Sequence, residues 1–370
     1  MNRATHLPAL DGLRALAIAL VLARHALRPF DAAPLVTLGG YDPFSVFLNG
    51  WLGVDLFFAL SGYLVGRRIL MDHVAGRFSW TEYARGRLLR IAPAYLCVVA
   101  LAIAFFAVGG LRDGASLFES LASHLLFMQD ITGSDLVTPL WSLGVEAKFY
   151  LAAPLLIALA LRGGGKWLVA FALMPLFARA ALWANADHAL TYEAFFATFR
   201  SPIYACWDGL ALGVLAAWLL HRPAAAIDAR APRAAFWVGA GVFAVLLLAP
   251  AWFAAIDWFD ALFLQTFAGL GAALMVFGAA AGAGPQRLLG AAPLRWLARH
   301  AYALYLTHWA AIAPALLIAR ATGADGLPLL AMFTPIYLGL SFASAIVLHR
   351  FVEAPFLKPR APHAVATAHA

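Results

Sequence analysis

The sequence predicts an all-α polytopic membrane protein of about ten transmembrane helices, with both termini in the cytoplasm. Three observations carry that fold class. Of the 370 residues, 64% are hydrophobic and 12% charged, and the mean hydropathy is +0.81. A soluble domain of this length has too little interior to hide so much apolar surface, so lipid must be part of the solvent. Apolar segments near the roughly twenty-residue length that crosses a bilayer recur along the chain. The connections between them alternate between rich and poor in Arg and Lys, which the positive-inside rule turns into an orientation. Membrane topology thereby accounts for the net charge of +7 and the pI near 9.7, and no nucleic-acid partner is expected.

The first span, 10–30, is unusual in carrying Asp11, Arg14, Arg24 and His25. An ionisable group inside a span is costly and is by default a functional candidate. Eleven helical residues turn about three full turns plus 20°, so Arg14 and His25 share one stripe, about 16–17 Å apart along the axis. Asp11 stands three residues before Arg14, the spacing of a salt-bridge partner. Arg24 points elsewhere and is expected to snorkel to the outer interface. Arg24 and His25 also stand where a cleavable signal peptide would need small residues, which favours a retained span.

The second span, 50–70, bears Asp55 one or two turns below the outer surface, where an N-terminal carboxylate caps a helix or complements its dipole. The connection after it holds Arg67, Arg68, Arg77, Arg85, Arg87 and Arg90. Arginine forks suit phosphate, although topology and anionic lipid account for most of this cluster. The third span, 94–111, is short, and residues 116–128 have the apolar face of an interfacial helix. The fourth, 140–161, runs inward and sets Glu146 about 9 Å below its outer end. Lys148 either pairs with an acid or faces a cavity. The fifth, 166–183, is short, and the sixth, 203–220, carries Asp208, read as a cap like Asp55. The seventh and eighth lie at 235–254 and 262–281. The ninth, 296–318, runs outward and brings His308 to a depth like that of His25. A hydrogen-bonded core histidine and a site histidine fit that position equally.

The tenth span, 329–350, closes a membrane domain taken as 1–357. The tail 358–370 lacks apolar periodicity and is expected to be a disordered cytoplasmic segment, with no appended soluble domain. Alternate connections gather cations: Arg162 and Lys166; Arg222, Arg230 and Arg233; Arg287 and Arg295; Lys358 and Arg360. The opposite set holds Arg28, Arg112, Arg200 and Arg320, with none in 255–261. Cys97 and Cys206 both lie in apolar stretches, so neither a disulfide framework nor a metal site is expected.

His25 and Glu146 are the hardest of these residues to dismiss as packing. Histidine takes a hydroxyl proton near neutral pH, and a carboxylate orients it or stabilises its protonated form. Imidazoles and carboxylates from five spans are expected to share one layer towards the outer face, and arginines to gather at the inner face.

Five stretches in order, "LPALDGLRALAIALVLARH" (7–25), "GWLGVDLFFALSGYLVGRRI" (50–69), "RLLRIAPAY" (87–95), "LWSLGVEAKFY" (140–150) and "YALYLTHW" (302–309), resemble the acyltransferase-3 family of integral membrane O-acyltransferases. The resemblance implies a multi-pass protein of the cell inner membrane. It would move an acyl group, usually acetyl from cytoplasmic acetyl-CoA, to a hydroxyl of a cell-envelope glycan or glycolipid, with acyl-CoA as co-substrate and no resident cofactor. The family's Arg and His of the first helix fall on Arg14 and His25, its Arg pair on Arg87 and Arg90, and its Trp-Ser-Leu-x-x-Glu motif on Trp141, Ser142, Leu143 and Glu146. Asp11, Tyr150 and His308 join Trp141 and Ser142 as supporting candidates. Many members follow the motif's Glu with a second acidic or amide residue, whereas Ala147 and Lys148 stand here, which argues against a paired-carboxylate mechanism. His25 would act as general base or carry the acyl group transiently, with Glu146 supporting it. The rival class, a secondary transporter with a polar intramembrane path, fits the composition too, but it predicts half-chain repeats or broken helices that the sequence does not display.

Overall fold

A computed structural model describes residues 7–30, 35–110, 114–133, 136–186, 191–221, 228, 230–250 and 256–357. The 358–370 tail and the cations Arg112, Arg222, Lys358 and Arg360 lie outside the described residues, as do residues 1–6. The described residues form helices and one isolated bridge, Leu38 to Tyr41, with no strand. Twelve helices of eight residues or more follow one another: α1 (Pro8–Ala26), α2 (Leu52–Val74), α3 (Trp80–Val108), α4 (Gly114–Leu125), α5 (Trp141–Gly163), α6 (Lys166–Ala184), α7 (Asp208–His221), α8 (Arg230–Leu248), α9 (Trp258–Ala280), α10 (Ala292–Thr307), α11 (Ile312–Arg320) and α12 (Gly326–Leu348).

Eight helical stretches among the described residues are long and apolar enough to cross a membrane. They contain α2, α3, α5, α6, α8 and α9, the pair α10 and α11 joined through a turn, and α12. The remaining two sequence-predicted segments are also helical. The 19-residue α1 is interrupted in polarity by Asp11, Arg14 and Arg24, and α7 is apolar but only 14 residues long.

Three segments differ from their predicted bounds. The third starts at Trp80 rather than 94, because Ser79 caps the helix by accepting from the Glu82 amide, so the arginine-rich connection is itself helical. The sixth is split, with a short helix at Ile203–Cys206 ahead of α7. The ninth breaks at a 3-10 turn, His308–Ala311. Pro314 has no amide hydrogen and its ring crowds the carbonyl four residues earlier, and Thr307 and His308 turn their side chains onto the carbonyls of Ala303 and Leu304. The break fixes His308 at a bend.

Helices α2 and α9 are mostly enclosed, while α3, α6, α8 and α12 turn most of their surface outward. The outward residues are apolar, among them Leu101, Phe105, Leu151, Leu155, Phe177 and Val245, as a hydrocarbon solvent requires. Helices α2 and α7 approach one another closely. A Cβ on Gly62 would stand 2.0 Å from the Leu210 carbonyl oxygen, and one on Gly213 would stand 2.2 Å from that of Ala59. Small residues at such a crossing allow backbones to touch where no hydrophobic force favours helix association in lipid.

Candidate active site

Among the described residues, two neighbouring cavities gather the candidate residues. The first, of about 150 Å³, is lined by Arg14 of α1, Ser61 of α2, Arg87 and Arg90 of α3, Glu146 and Tyr150 of α5, and Tyr302 of α10. Its cations are held from behind. Arg14 donates to Asp11 at 3.1 Å, the pairing expected from their spacing. Arg90 donates to Glu353 at 2.7 Å and lies 5.6 Å from the centre of the Tyr302 ring. Glu353 is buried and also bonded to His349 at 2.8 Å, within a π turn that ends the last span. Arg87 lies 5.9 Å from the centre of the Tyr150 ring and makes no hydrogen bond or ion pair among the described residues. Glu146 accepts from Ser61 at 2.8 Å and from Tyr150 at 2.9 Å. Three guanidinium groups around one carboxylate make this an anion-favouring cavity, and the planar forks match phosphate.

The second cavity, of about 260 Å³, is lined by Arg24 and His25 at the C-terminal end of α1, by Arg28 in the turn just beyond it, and by aromatic side chains: Trp51, Trp141, Tyr192, Tyr305 and Trp309 among them. His25 is bonded to His308, with Nδ1 of the former 3.0 Å from Nε2 of the latter. The protonation pattern follows from the acceptor at the far end. The Leu304 carbonyl, 2.9 Å from His308 Nδ1, can only accept, so that nitrogen carries the hydrogen. Nε2 of the neutral His308 ring then accepts, and His25 Nδ1 donates. The lone pair of His25 is therefore at Nε2, on a ring that lines the cavity. The edge of Trp309, with ring centres 5.1 Å apart and planes at 87°, braces that ring.

A buried ion pair supports the aromatic wall. Asp55 accepts from both terminal nitrogens of Arg200, at 2.9 and 2.8 Å. The guanidinium sits 4.8 Å from the centre of Trp51 and 5.5 Å from that of Trp141. Deeper in the bundle Arg179 pairs with Asp208 at 3.0 Å, and Thr266 donates to the same carboxylate.

The predicted residues therefore divide. Arg14, Arg87, Arg90, Glu146, Tyr150 and Ser142 come together at the first cavity, with Asp11 behind Arg14. His25 and Trp141 line the second, with His308 behind His25. Four readings are corrected. Glu146 is not the partner of His25: on α5 it lies more than a turn beyond Trp141 and lines the arginine cavity, and His308 takes the partner's place. Arg24 does not snorkel; it is buried, because the chain around Gly50 crosses α1 against Leu20 and the Arg24 stem. Asp55 is an ion-pair member rather than a cap. Asp208 does accept from the Gly209 amide, but its main partner is Arg179. Lys148 pairs with Asp130 and the Phe127 carbonyl, which explains a lysine about two turns past the motif's start. Arg200 and Arg179 were missed as site-supporting residues. Arg179 was detectable as an ionisable group within a span, whereas Arg200 reads in sequence as a topology cation.

A family model described as an acyltransferase domain matches residues 7–350. The chain is 31% identical over 324 residues to the membrane-bound transacylase BcsY of Komagataeibacter xylinus, covering 82% of this chain and 72% of that one. It is 27% identical over 165 residues to the O-acetyltransferase OatA of Staphylococcus aureus, covering 41% of this chain and 25% of that protein. Against the peptidoglycan O-acetyltransferase OatA of Listeria monocytogenes it is 31% identical over 163 residues, covering 40% and 24%. The matched region is thus about a quarter of either OatA. No solved structure matches.

Proposed function

Because the chain belongs to the acyltransferase-3 family, we propose that this multi-pass membrane enzyme takes an acetyl group from cytoplasmic acyl-CoA in the arginine cavity. It delivers the group to a hydroxyl of a cell-envelope glycan or glycolipid in the histidine cavity. The observation that carries the reading is the pairing of an anion-favouring cavity with a second cavity in which His25 keeps a free lone pair at Nε2. Arg14 and His25 stand on one unbroken helix, so the two sites are about 16–17 Å apart along its axis. That span suits a donor whose phosphates and reactive carbonyl lie at opposite ends of an extended arm.

On this reading Arg14, Arg87 and Arg90 hold the nucleotide phosphates, and Glu146 keeps Ser61 and Tyr150 in the cavity wall while offering its remaining lone pairs to amide N–H groups of the arm. The aromatic wall stacks against a sugar ring, and the arginines and Glu193 supply polar contacts. The acceptor O–H gives its proton to His25 Nε2 as its oxygen attacks the thioester carbonyl. The C–O bond forms, the C–S bond breaks, and the CoA sulfur leaves with the proton returned by His25. His308 accepts from His25 Nδ1 throughout and holds the imidazolium in place. Transfer is direct, through a ternary complex. We read α1 and α7 as spans as well, giving ten in all, with both termini cytoplasmic and the enzyme in the inner membrane.

The test is His25→Asn, which keeps a polar side chain of similar size and lacks the base. Positioned general-base catalysis contributes about 10²–10⁴-fold in rate, so acetylated glycan formed per unit of folded protein is expected to fall by that factor. Detergent-solution monodispersity is the folding control. Near wild-type turnover by a well-folded His25→Asn protein overturns the assignment.

A further inference from the structure

The two cavities share two lining residues, Val54 of α2 and Tyr305 of α10. If donor and acceptor occupy the sites proposed above, the acyl end of the thioester passes between these side chains to reach His25. Neither side of that passage can easily recede. The Tyr305 hydroxyl donates to the Pro139 carbonyl at 2.8 Å and stands 2.6 Å from Ser142 Oγ, so its ring is anchored at the tip. The ring is also flanked by Phe57 and His308, each with ring centres 5.9 Å away. Opposite, Val54 is β-branched and stiff at its first torsion. Its backbone cannot retreat from Tyr305 by sliding towards α1, because a Cβ on the adjacent Gly53 would already stand 2.3 Å from the Ala17 carbonyl oxygen.

We propose that Val54 and the anchored ring of Tyr305 form a rigid aperture between donor and acceptor sites, and that this aperture restricts the transferred acyl group to short chains. The aperture acts on the group in transit and not on the nucleotide, so it sets selectivity among acyl-CoAs without setting their shared affinity for the arginines. One methylene too many in a tight apolar site costs about 10–200-fold in specificity. The inference rests on the donor and acceptor reading, and its test separates the two.

Purified wild-type protein, Val54→Ala and Tyr305→Phe are assayed with acetyl-, propionyl- and butyryl-CoA, and acetyl-CoA binding is measured directly by calorimetry, with Arg87→Ala alongside. The wild type is expected to prefer acetyl over butyryl by at least about tenfold in kcat/KM. Val54→Ala is expected to reduce that preference about tenfold or more, through faster butyryl transfer, with acetyl-CoA affinity unchanged. Tyr305→Phe, which keeps the ring and frees its tip, is expected to loosen selectivity in the same direction. A wild type without chain-length preference, or two folded variants with the wild-type preference, overturns the aperture. If Arg87→Ala leaves acetyl-CoA affinity intact, the donor-cavity reading fails, and the aperture inference fails with it.

Discussion

At the scale of single residues, the chemistry turns on which nitrogen of each histidine carries hydrogen. His308 is fully buried and has its Nδ1 committed to the Leu304 carbonyl, so its Nε2 is an acceptor aimed at His25. His308→Ala removes that acceptor and frees the His25 ring to rotate or to adopt the other tautomer, which would place the hydrogen on the wrong nitrogen for a base. The cost of a wrong tautomer in a hydrolase triad reaches about 10⁴-fold. With His25 still braced by the edge of Trp309, a smaller loss of about 10–100-fold in kcat is expected here. His308→Gln carries an amide oxygen able to accept from His25 Nδ1 and is expected to recover part of the loss. A merely structural role makes a different prediction: both variants would lose thermal stability together, and kcat per folded molecule would stay at the wild-type level.

At the scale of elements, the site depends on how closely α2 approaches its neighbours. This helix carries Val54, Asp55 and Ser61, which contribute to the aperture, the ion pair behind the aromatic wall and the Glu146 contact. Its depth in the bundle is set by Gly53 against α1 and Gly62 against α7. Gly213→Ala on α7 would force a methyl group into the α2 backbone at Ala59. Overpacking of this kind costs about 1–3 kcal/mol, occasionally more, and it would displace three site residues at once. A lower melting temperature in detergent and loss of most transfer activity are expected. Gly241→Ala on α8 and Gly339→Ala on α12, where an added Cβ meets nothing within 4 Å, serve as controls and are expected to be neutral. Equal behaviour of all three variants would show that the close approach does not position the site. The last helix acts over a longer reach: the π turn that follows it carries Glu353 back to Arg90, so it helps to shape a cavity built mostly from α2, α3, α5 and α10.

At the scale of the whole molecule, the proposed donor role of the arginine cavity requires that cavity to face the cytoplasm. Arg87 and Arg90 belong to the end of α3 that follows the arginine-rich connection after α2, where Arg68 and Arg77 flank Asp72. Trp51, Trp141 and Arg200 belong to the opposite ends of their elements, at cation-poor connections. On the proposed topology, the positive-inside rule would put the first set in the cytoplasm. Single cysteines introduced at Arg77 and at Asp257, in a background lacking Cys97 and Cys206, are therefore expected to label from opposite sides of the membrane. Labelling of both from the same side would remove the ten-span topology and with it the cytoplasmic donor.

Sequence by itself determined the class of the molecule and singled out Arg14, His25, Arg87, Arg90 and Glu146 as candidate site residues. Hydropathy and the spacing of apolar segments are local properties, and a hydrocarbon solvent enforces them strictly, so helices formed at all ten predicted positions. Arg14 and His25 were legible because charge inside a span has no cheap explanation, and a regular helix fixes their separation. The pairings were not legible. Depth along a helix is readable from residue number, but rotation about its axis relative to other helices is not, so the sequence pairs Glu146 with His25 whereas the two face different cavities. The same blindness assigned Asp55 and Asp208 to helix caps, since their arginines, Arg200 and Arg179, lie 145 and 29 residues away in the chain. Which groups meet across the bundle was decided by helix packing, above all by glycines that let α2 sink against α1 and α7. Close contact between helices is a property of two surfaces together, and neither sequence segment carries it alone.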